Sequence, residues 1–334
     1  MSKKYIVGLV LVLGIFGLVR WKANQRTGKQ QVLDVGYLPV TCHLTCPVTD
    51  FATSRSPKFK FASQRFTDFP TMAESFKAGK LQAAFFIAPM AMKLRELEGK
   101  AKIVYLGHRD GSTVMVRKNS KAQSLVDLKG KKFAIPSRYS NQYLVLRRLM
   151  KTQGLSPSDI EFIEIAPPEM PSALANKSVD AYFVGEPHAA KSELNGVGRV
   201  LYHAKDIWPK FISCVLIVSE DLINSNPEIV HELVAGVAES GEWAETHREE
   251  AAKLAAPYYR QDEKLLKYVL TVPKDRVSYR MLTPEDSEIK IIHDEALDAG
   301  LLSKPIDLSQ LIDRRFIPED TTPEKSNLDF SEVL

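Results

Sequence analysis

Short apolar runs alternate with helix-like segments along residues 32–107 and again along 113–184, and this repeated rhythm constrains the fold more than any single motif. In the first pass, residues 32–37 predict a strand ending in a turn shaped by Gly36 and Pro39, and 59–61 predict a second. Asp68, followed by Pro70 and closed by Gly79, predicts a helix over 69–77. An aspartate caps orphan amides there, and proline suits a first turn. Residues 81–87 and 101–107 predict two buried strands. The second pass places strands over 113–117, 133–135, 160–165 and 181–184, with helices after Asn141 and near Met170. Beyond Leu222 helices are predicted over 226–246, 248–258, 262–270 and 284–300. Such alternation predicts an α/β layer architecture with mostly parallel strands. A chain of 334 residues is long enough for two lobes, each with its own core.

Charge is unevenly placed. The formal net charge is +4, but residues 1–30 carry six Lys or Arg and no acid, leaving 39 basic against 41 acidic residues in the remainder. The body is near neutral, so no nucleic-acid partner is expected. Lys3 and Lys4 precede an apolar stretch over 5–19, which Arg20, Trp21 and Lys22 close. Fifteen residues match a signal-peptide core, and with its flanks the segment is just long enough to span a membrane. Residues 1–24 are therefore expected to be a signal peptide or a membrane anchor, placing the body in the periplasm or at the cell surface. The tail over 318–334 is Pro-rich and acidic and is expected to be irregular.

Three segments carry polar side chains to the C-terminal ends of predicted strands, the edge where open α/β sheets bind ligands. The first runs Gly36-Tyr37-Leu38-Pro39-Val40-Thr41-Cys42-His43-Leu44-Thr45-Cys46-Pro47. Pro47 is expected near the start of a helix, leaving a loop in which Tyr37, Thr41 and His43 can line a ligand. The second, Ala134 through Gln142, runs from a strand into a helix start. Ser137, Arg138, Ser140 and Asn141 there surround free amides that favour an anion, although Ser140 or Asn141 as a helix cap is an equally complete account. The third, Val179 through His188, delivers Glu186 and His188, for which an ion pair across a hinge or a helix cap is the alternative. Phe86, Ala88 and His108 are further candidates at strand ends. Arg138 or His43 can supply counter-charge, and Tyr37, Tyr139 and Phe86 can stack on an organic body. No catalytic residue is expected.

The Gly-Tyr-x-Pro strand end with a second proline opening the first helix is one part of a wider likeness. The Leu-x-Asp-Leu-Lys-Gly-Lys-Lys-Phe-Ala-Ile segment and the Val-Asp-Ala-Tyr-x-x-x-Glu-Pro strand complete it. This ordered set, spanning about Val32 to Ile317, resembles the NitT/TauT group of ABC-importer solute-binding proteins, which serve nitrate, bicarbonate, sulfonates, taurine and pyrimidine precursors. The resemblance implies a type II periplasmic-binding-protein fold, two α/β lobes around a ligand cleft. Residues 31–110 with 214–317 would form one lobe and 111–213 the other. It further implies capture of a small anionic or zwitterionic solute by hinge closure, with an ABC permease and its ATPase as partners. A monomer without cofactor is expected.

Cys42-His43-Leu44-Thr45-Cys46 departs from that pattern. A Cys42–Cys46 disulfide, a metal site using Cys42, His43 and Cys46, or structural thiols remain open, and Cys214 reads as a core residue. Two other functions stay in view. One is a metal-binding or sensor-type module built on Cys42, His43 and Cys46. The other is an enzyme like the pyrimidine-precursor synthases of the same fold, whose typical Cys run this sequence lacks.

Overall fold

The computed structural model describes residues 31–53 and 58–318, so the expected 1–24 segment and nearly all of the 318–334 tail lie outside the described residues. Among the described residues no helix is long and apolar enough to cross a membrane. The strands are β1 (Gln31–Tyr37), β2 (Phe59–Arg65), β3 (Ala83–Phe86), β4 (Ala101–Asp110), β5 (Ser112–Arg117), β6 (Lys132–Ile135), β7 (Glu161–Glu164), β8 (Ala181–Gly185), β9 (Gly198–His203), β10 (Ile212–Ser219) and β11 (Val277–Ser278). They form two sheets, one ordered β11-β4-β10-β3-β1-β2 and the other β7-β6-β8-β5-β9. Each sheet with its helices is one lobe.

The chain passes between the sheets twice, from β4 into β5 and from β9 into β10. These passages correct the expectation of mostly parallel strands. β1, β2 and β3 run parallel, as do β6, β7 and β8. A strand that has just crossed, however, enters the new sheet in the opposite sense. Thus β5 pairs antiparallel with both β8 and β9, and β10 pairs antiparallel with both β3 and β4. The sequence rhythm sees strands but not their direction.

Local chemistry explains the elements. Asp68 caps helix Phe69–Lys77 by accepting from the Thr71 amide at 2.8 Å, with Pro70 in the first turn. Phe69, Met72, Ala73 and Phe76 are buried along one face, the spacing of an amphipathic helix. β10 reads ISCVLIVS and is buried at every position, as expected of a central strand covered on both faces. Phe85, Phe86, Val215 and Leu216 meet there fully buried, each such side chain contributing roughly 1.5–3 kcal/mol. Phe86 belongs to this core: its ring lies 6.4 Å from Phe69 and 6.2 Å from Phe76.

Glycine is required at Gly107, in the middle of β4. A Cβ there would lie 2.2 Å from Cys214 Sγ and 2.4 Å from the Cys42 carbonyl oxygen. The β4 backbone therefore approaches the turn after β1 more closely than any side chain permits. Gly107→Ala is expected to cost about 1–3 kcal/mol through overpacking, read as a lower urea midpoint. An unchanged midpoint would show that this close approach is not a constraint on the fold.

Candidate ligand-binding site

The loop after β1 is shorter than its sequence implies. After Tyr37 the backbone makes a turn, then a single 3-10 turn over Thr41–His43, and helix Thr45–Thr53 follows with Pro47 inside its first turn. Tyr259 and Tyr279 hold this turn from the C-terminal helices, donating their hydroxyls to the Val40 carbonyl at 2.8 Å and the Thr41 carbonyl at 2.9 Å. Facing it are the ends of β6 and β8 and both crossing segments. The Thr41 amide donates to the Glu186 carbonyl at 2.7 Å, and the Glu186 amide donates to the Gly111 carbonyl at 2.8 Å. The seam between the lobes is therefore sealed by backbone as well as side chains.

A buried ion pair crosses it. Arg276, in the segment before β11, lies 3.4 Å from Glu186 and 3.0 Å from Glu193. Both Arg276 and Glu186 are almost wholly buried. Burial pushes the Glu186 carboxyl up, against the Arg276 guanidinium, the Ala190 amide and the Thr113 hydroxyl, which favour its ionised form. Removing one partner of a buried pair leaves an uncompensated charge, typically at a cost of about 3–5 kcal/mol.

The neutral polar groups are packed as tightly. Thr41 Oγ1 sits 3.0 Å from His108 Nε2. Gln142 Nε2 donates to Ser112 Oγ at 3.1 Å, and Asn141 Nδ2 donates to the Ile212 carbonyl at 2.5 Å. Ser140 caps helix Asn141–Thr152, accepting from the Tyr143 amide at 3.1 Å. The His188 ring bonds to the Pro39 backbone across the seam. Even so, His108 Nδ1, Asn141 Oδ1, Gln142 Oε1 and His188 Nε2 are buried at the seam without a partner, as is His43 Nε2 within the first lobe beside Phe85. A buried polar atom left unpaired costs about 1–3 kcal/mol. So many orphans concentrated at one seam mark a surface shaped to bond something else.

Other candidates lie elsewhere. Arg138 is exposed, its amide donating to Glu164 and its guanidinium lying 5.7 Å above the Tyr143 ring. Tyr37 stacks on Tyr259 at 6.3 Å and donates to the Tyr258 carbonyl, anchoring the C-terminal helices to β1. Phe86 is in the core, and Ala88 opens helix Ala88–Glu98. Ser137 lies buried beneath the β6 loop, its hydroxyl accepting from the Tyr139 amide at 3.1 Å. Sequence reasoning missed Ser112, Gln142 and Arg276. Gln142 closes a segment already singled out but was not chosen from it, and Ser112 opens the second lobe, but nothing local marks Arg276.

All three cysteines are free and buried. Cys42 turns toward Cys214, whose thiol donates to the Cys42 carbonyl at 3.2 Å. Burial opposes ionisation of Cys42, but hydrogen bonding from Cys214 and neighbouring His43 overcome it and hold its thiol well below the usual range. Cys46 faces away, toward Ser63 and Asp50, and burial raises its thiol.

Two sheets joined by two crossings, with a polar seam between, define a periplasmic-binding-protein fold. The NMT1-like family model matches residues 27–258, and the chain belongs to that family. A ligand-binding component of an ABC-type import system from Staphylococcus aureus, solved with zinc bound, is 26% identical. It superimposes with a TM-score of 0.79 over 88% of this chain and 100% of its own. A Brucella abortus protein named only as a binding protein is 28% identical over 59% of this chain, and the match spans 61% of that relative's length. An Escherichia coli protein named for aliphatic-sulfonate binding is 23% identical over 77% of this chain and 81% of its own.

The buried imidazoles make stability pH-dependent. Burial lowers His108 to about 4 and His188 to about 3, whereas both titrate near 6.5 in an unfolded chain. As pH falls below about 6.5 the unfolded chain takes up these protons first, so stability drops between about pH 6.5 and 3. The melting temperature is expected to fall from pH 7 to pH 4.5, and by less in His188→Gln. Identical falls in the two proteins would contradict burial of a neutral His188.

Proposed function

We propose that this chain is the extracytoplasmic solute-binding protein of an ABC importer. It captures a small anionic or zwitterionic solute between its lobes by hinge closure and presents it to a permease and its ATPase. The observation that carries this reading is the set of unpartnered polar atoms at the seam, His108 Nδ1, Asn141 Oδ1, Gln142 Oε1 and His188 Nε2. They offer polar atoms from both lobes, imidazole nitrogens and amide oxygens that suit a zwitterion, and the N-terminus of helix Asn141–Thr152 adds a dipole that favours negative charge. Relatives named for sulfonate and nitrate transport support the class of solute.

Hinge closure follows from how little room the seam leaves. The cavity bordering it, lined by Asn141, Trp208, Phe211, Ile212 and Ile292, measures about 110 Å³. Organic ligands occupy pockets of roughly 300–1,000 Å³, so a sulfonate enters only when the lobes part. The two crossings are built to bend. Asp110 and Lys210 have φ of 61° and 58°, left-handed conformations that store strain in a non-glycine residue, and Gly111 at 66° takes the same region at no such cost. Arg276 then acts as a latch, its pairing with Glu186 and Glu193 formed only when the lobes meet. Relatives named as binding proteins and as a ligand-binding component of an import system support a receptor rather than an enzyme.

The test is a thermal-shift screen against alkanesulfonates, nitrate, carboxylates and pyrimidines. A true ligand at a hundred times its dissociation constant stabilises the fold by about 2.7 kcal/mol. At least one of these anions is expected to raise the melting temperature, and Arg276→Gln to weaken it about tenfold or more by depopulating the closed state. No shift with any of them would overturn the reading.

A further inference from the structure

One buried cluster is left unused by solute capture. Cys42, His43 and Cys214 each present a ligand atom, and the three atoms lie within 4.8 Å of one another. Cys42 and His43 come from the 3-10 turn after β1 and Cys214 from the centre of β10, so the fold rather than local sequence assembles them. All three are buried, at 4%, 0% and 0% exposure. Gly107 opens the space around them, since any side chain at that position would meet Cys214 Sγ.

We infer that Cys42, His43 and Cys214 form a soft-metal site that ties the ligand-lining turn to the central strand of its lobe. Two thiolates and an imidazole select a soft or borderline ion, zinc(II) or copper(I), over magnesium or calcium. His43 supplies an independent sign of a ligand: it is fully buried and its Nε2 has no partner. Its Nδ1 lies between the Leu38 amide, which donates to it at 2.6 Å, and the Leu38 carbonyl oxygen at 3.1 Å. With a metal on Nε2 the Nδ1 proton would go to that carbonyl, the outer-shell bond that commonly fixes a ligating imidazole. Zinc–sulfur and zinc–nitrogen bonds of about 2.3 and 2.0–2.1 Å place neighbouring donors roughly 3.5–4 Å apart. The cluster therefore reaches ligating geometry by small side-chain shifts. Binding takes both sulfurs as thiolates and the imidazole as neutral, and whatever protons the three groups carry pass to solvent. Cys46, which faces Ser63 and Asp50, takes no part.

The site is independent of solute capture, because its ligands bond the turn to β10 inside one lobe. The full chain, purified under reducing conditions and stripped of metal, is titrated with zinc(II) and with copper(I) against chromophoric chelators, with magnesium as control. Cobalt(II) substitution reports thiolate ligation by its charge-transfer absorption. One equivalent of zinc or copper per chain is expected, and which ion takes it identifies the natural occupant. Cys42→Ser, Cys214→Ser and His43→Gln should each weaken that binding by about a hundredfold or more, beyond the 10–100-fold typical of losing an outer-shell partner. Cys46→Ser should leave it unchanged. Circular dichroism identifies any variant that fails to fold, and the remaining ones then decide. Four results would overturn the inference. These are no stoichiometric binding of either ion, binding unchanged in folded Cys42→Ser and His43→Gln, equal loss in Cys46→Ser, or a Cys42–Cys214 disulfide in protein isolated without reductant.

Discussion

The pairing of Arg276 with Glu186 is the interaction on which the closed arrangement depends. Glu186 is wholly buried and Arg276 nearly so, and they come from different lobes. Neither charge can stay buried alone, because the desolvation cost of an unpaired ion exceeds what the surrounding packing returns. On the proposed reading the lobes are thus coupled: closing them would pair the charges, and parting them would expose both to water, where each is solvated again. A purely apolar seam would be harder to open, and a seam of unpaired charges would not close.

Around that pair the backbone does the rest of the positioning. The turn after β1 is held by Tyr259 and Tyr279 on one side and by the Glu186 carbonyl on the other. Arg109 ties the first crossing to the C-terminal helices, with a bidentate contact to Glu288 at 2.8–2.9 Å and a bond to the Lys210 carbonyl in the second crossing. The two crossings are also bonded to each other, the Asp110 amide donating to the Phe211 carbonyl at 2.8 Å. In the proposed closure they would bend together, as a hinge shared by two strands must, and the seam would open without remaking the lobes.

Much of the fold could be read from the residues, because strands and helices advertise themselves through periodicity and caps. Asp68 with Pro70 and the apolar run of β10 are instances in which local chemistry dictates the outcome. Strand direction could not be read, since it depends on which sheet a strand joins after crossing. The site was legible in part. Thr41, His108, Asn141, Glu186 and His188 meet at the seam because each stands at or near a strand end, a position that sequence can mark, whereas His43 turns into the first lobe against Phe85. Arg138 and Phe86 had suitable chemistry at comparable positions but turn to the surface and to the core. Arg276 pairs with a residue 90 positions away and Cys214 with one 172 away. No local signal foretells contacts of such range.

The central claim is that the seam is a ligand site that shuts by movement of the lobes. Spin labels at Leu97→Cys and Val126→Cys probe it directly, since both positions are exposed, on opposite lobes, while the native cysteines are buried. Their separation would be measured by pulsed electron resonance with and without a solute that stabilises the protein. Two separations, or one long and broad distribution, are predicted without solute, collapsing to a single shorter distance when it is saturating. A distance that stays the same under both conditions would contradict closure and, with it, the role given to Arg276 and Glu186.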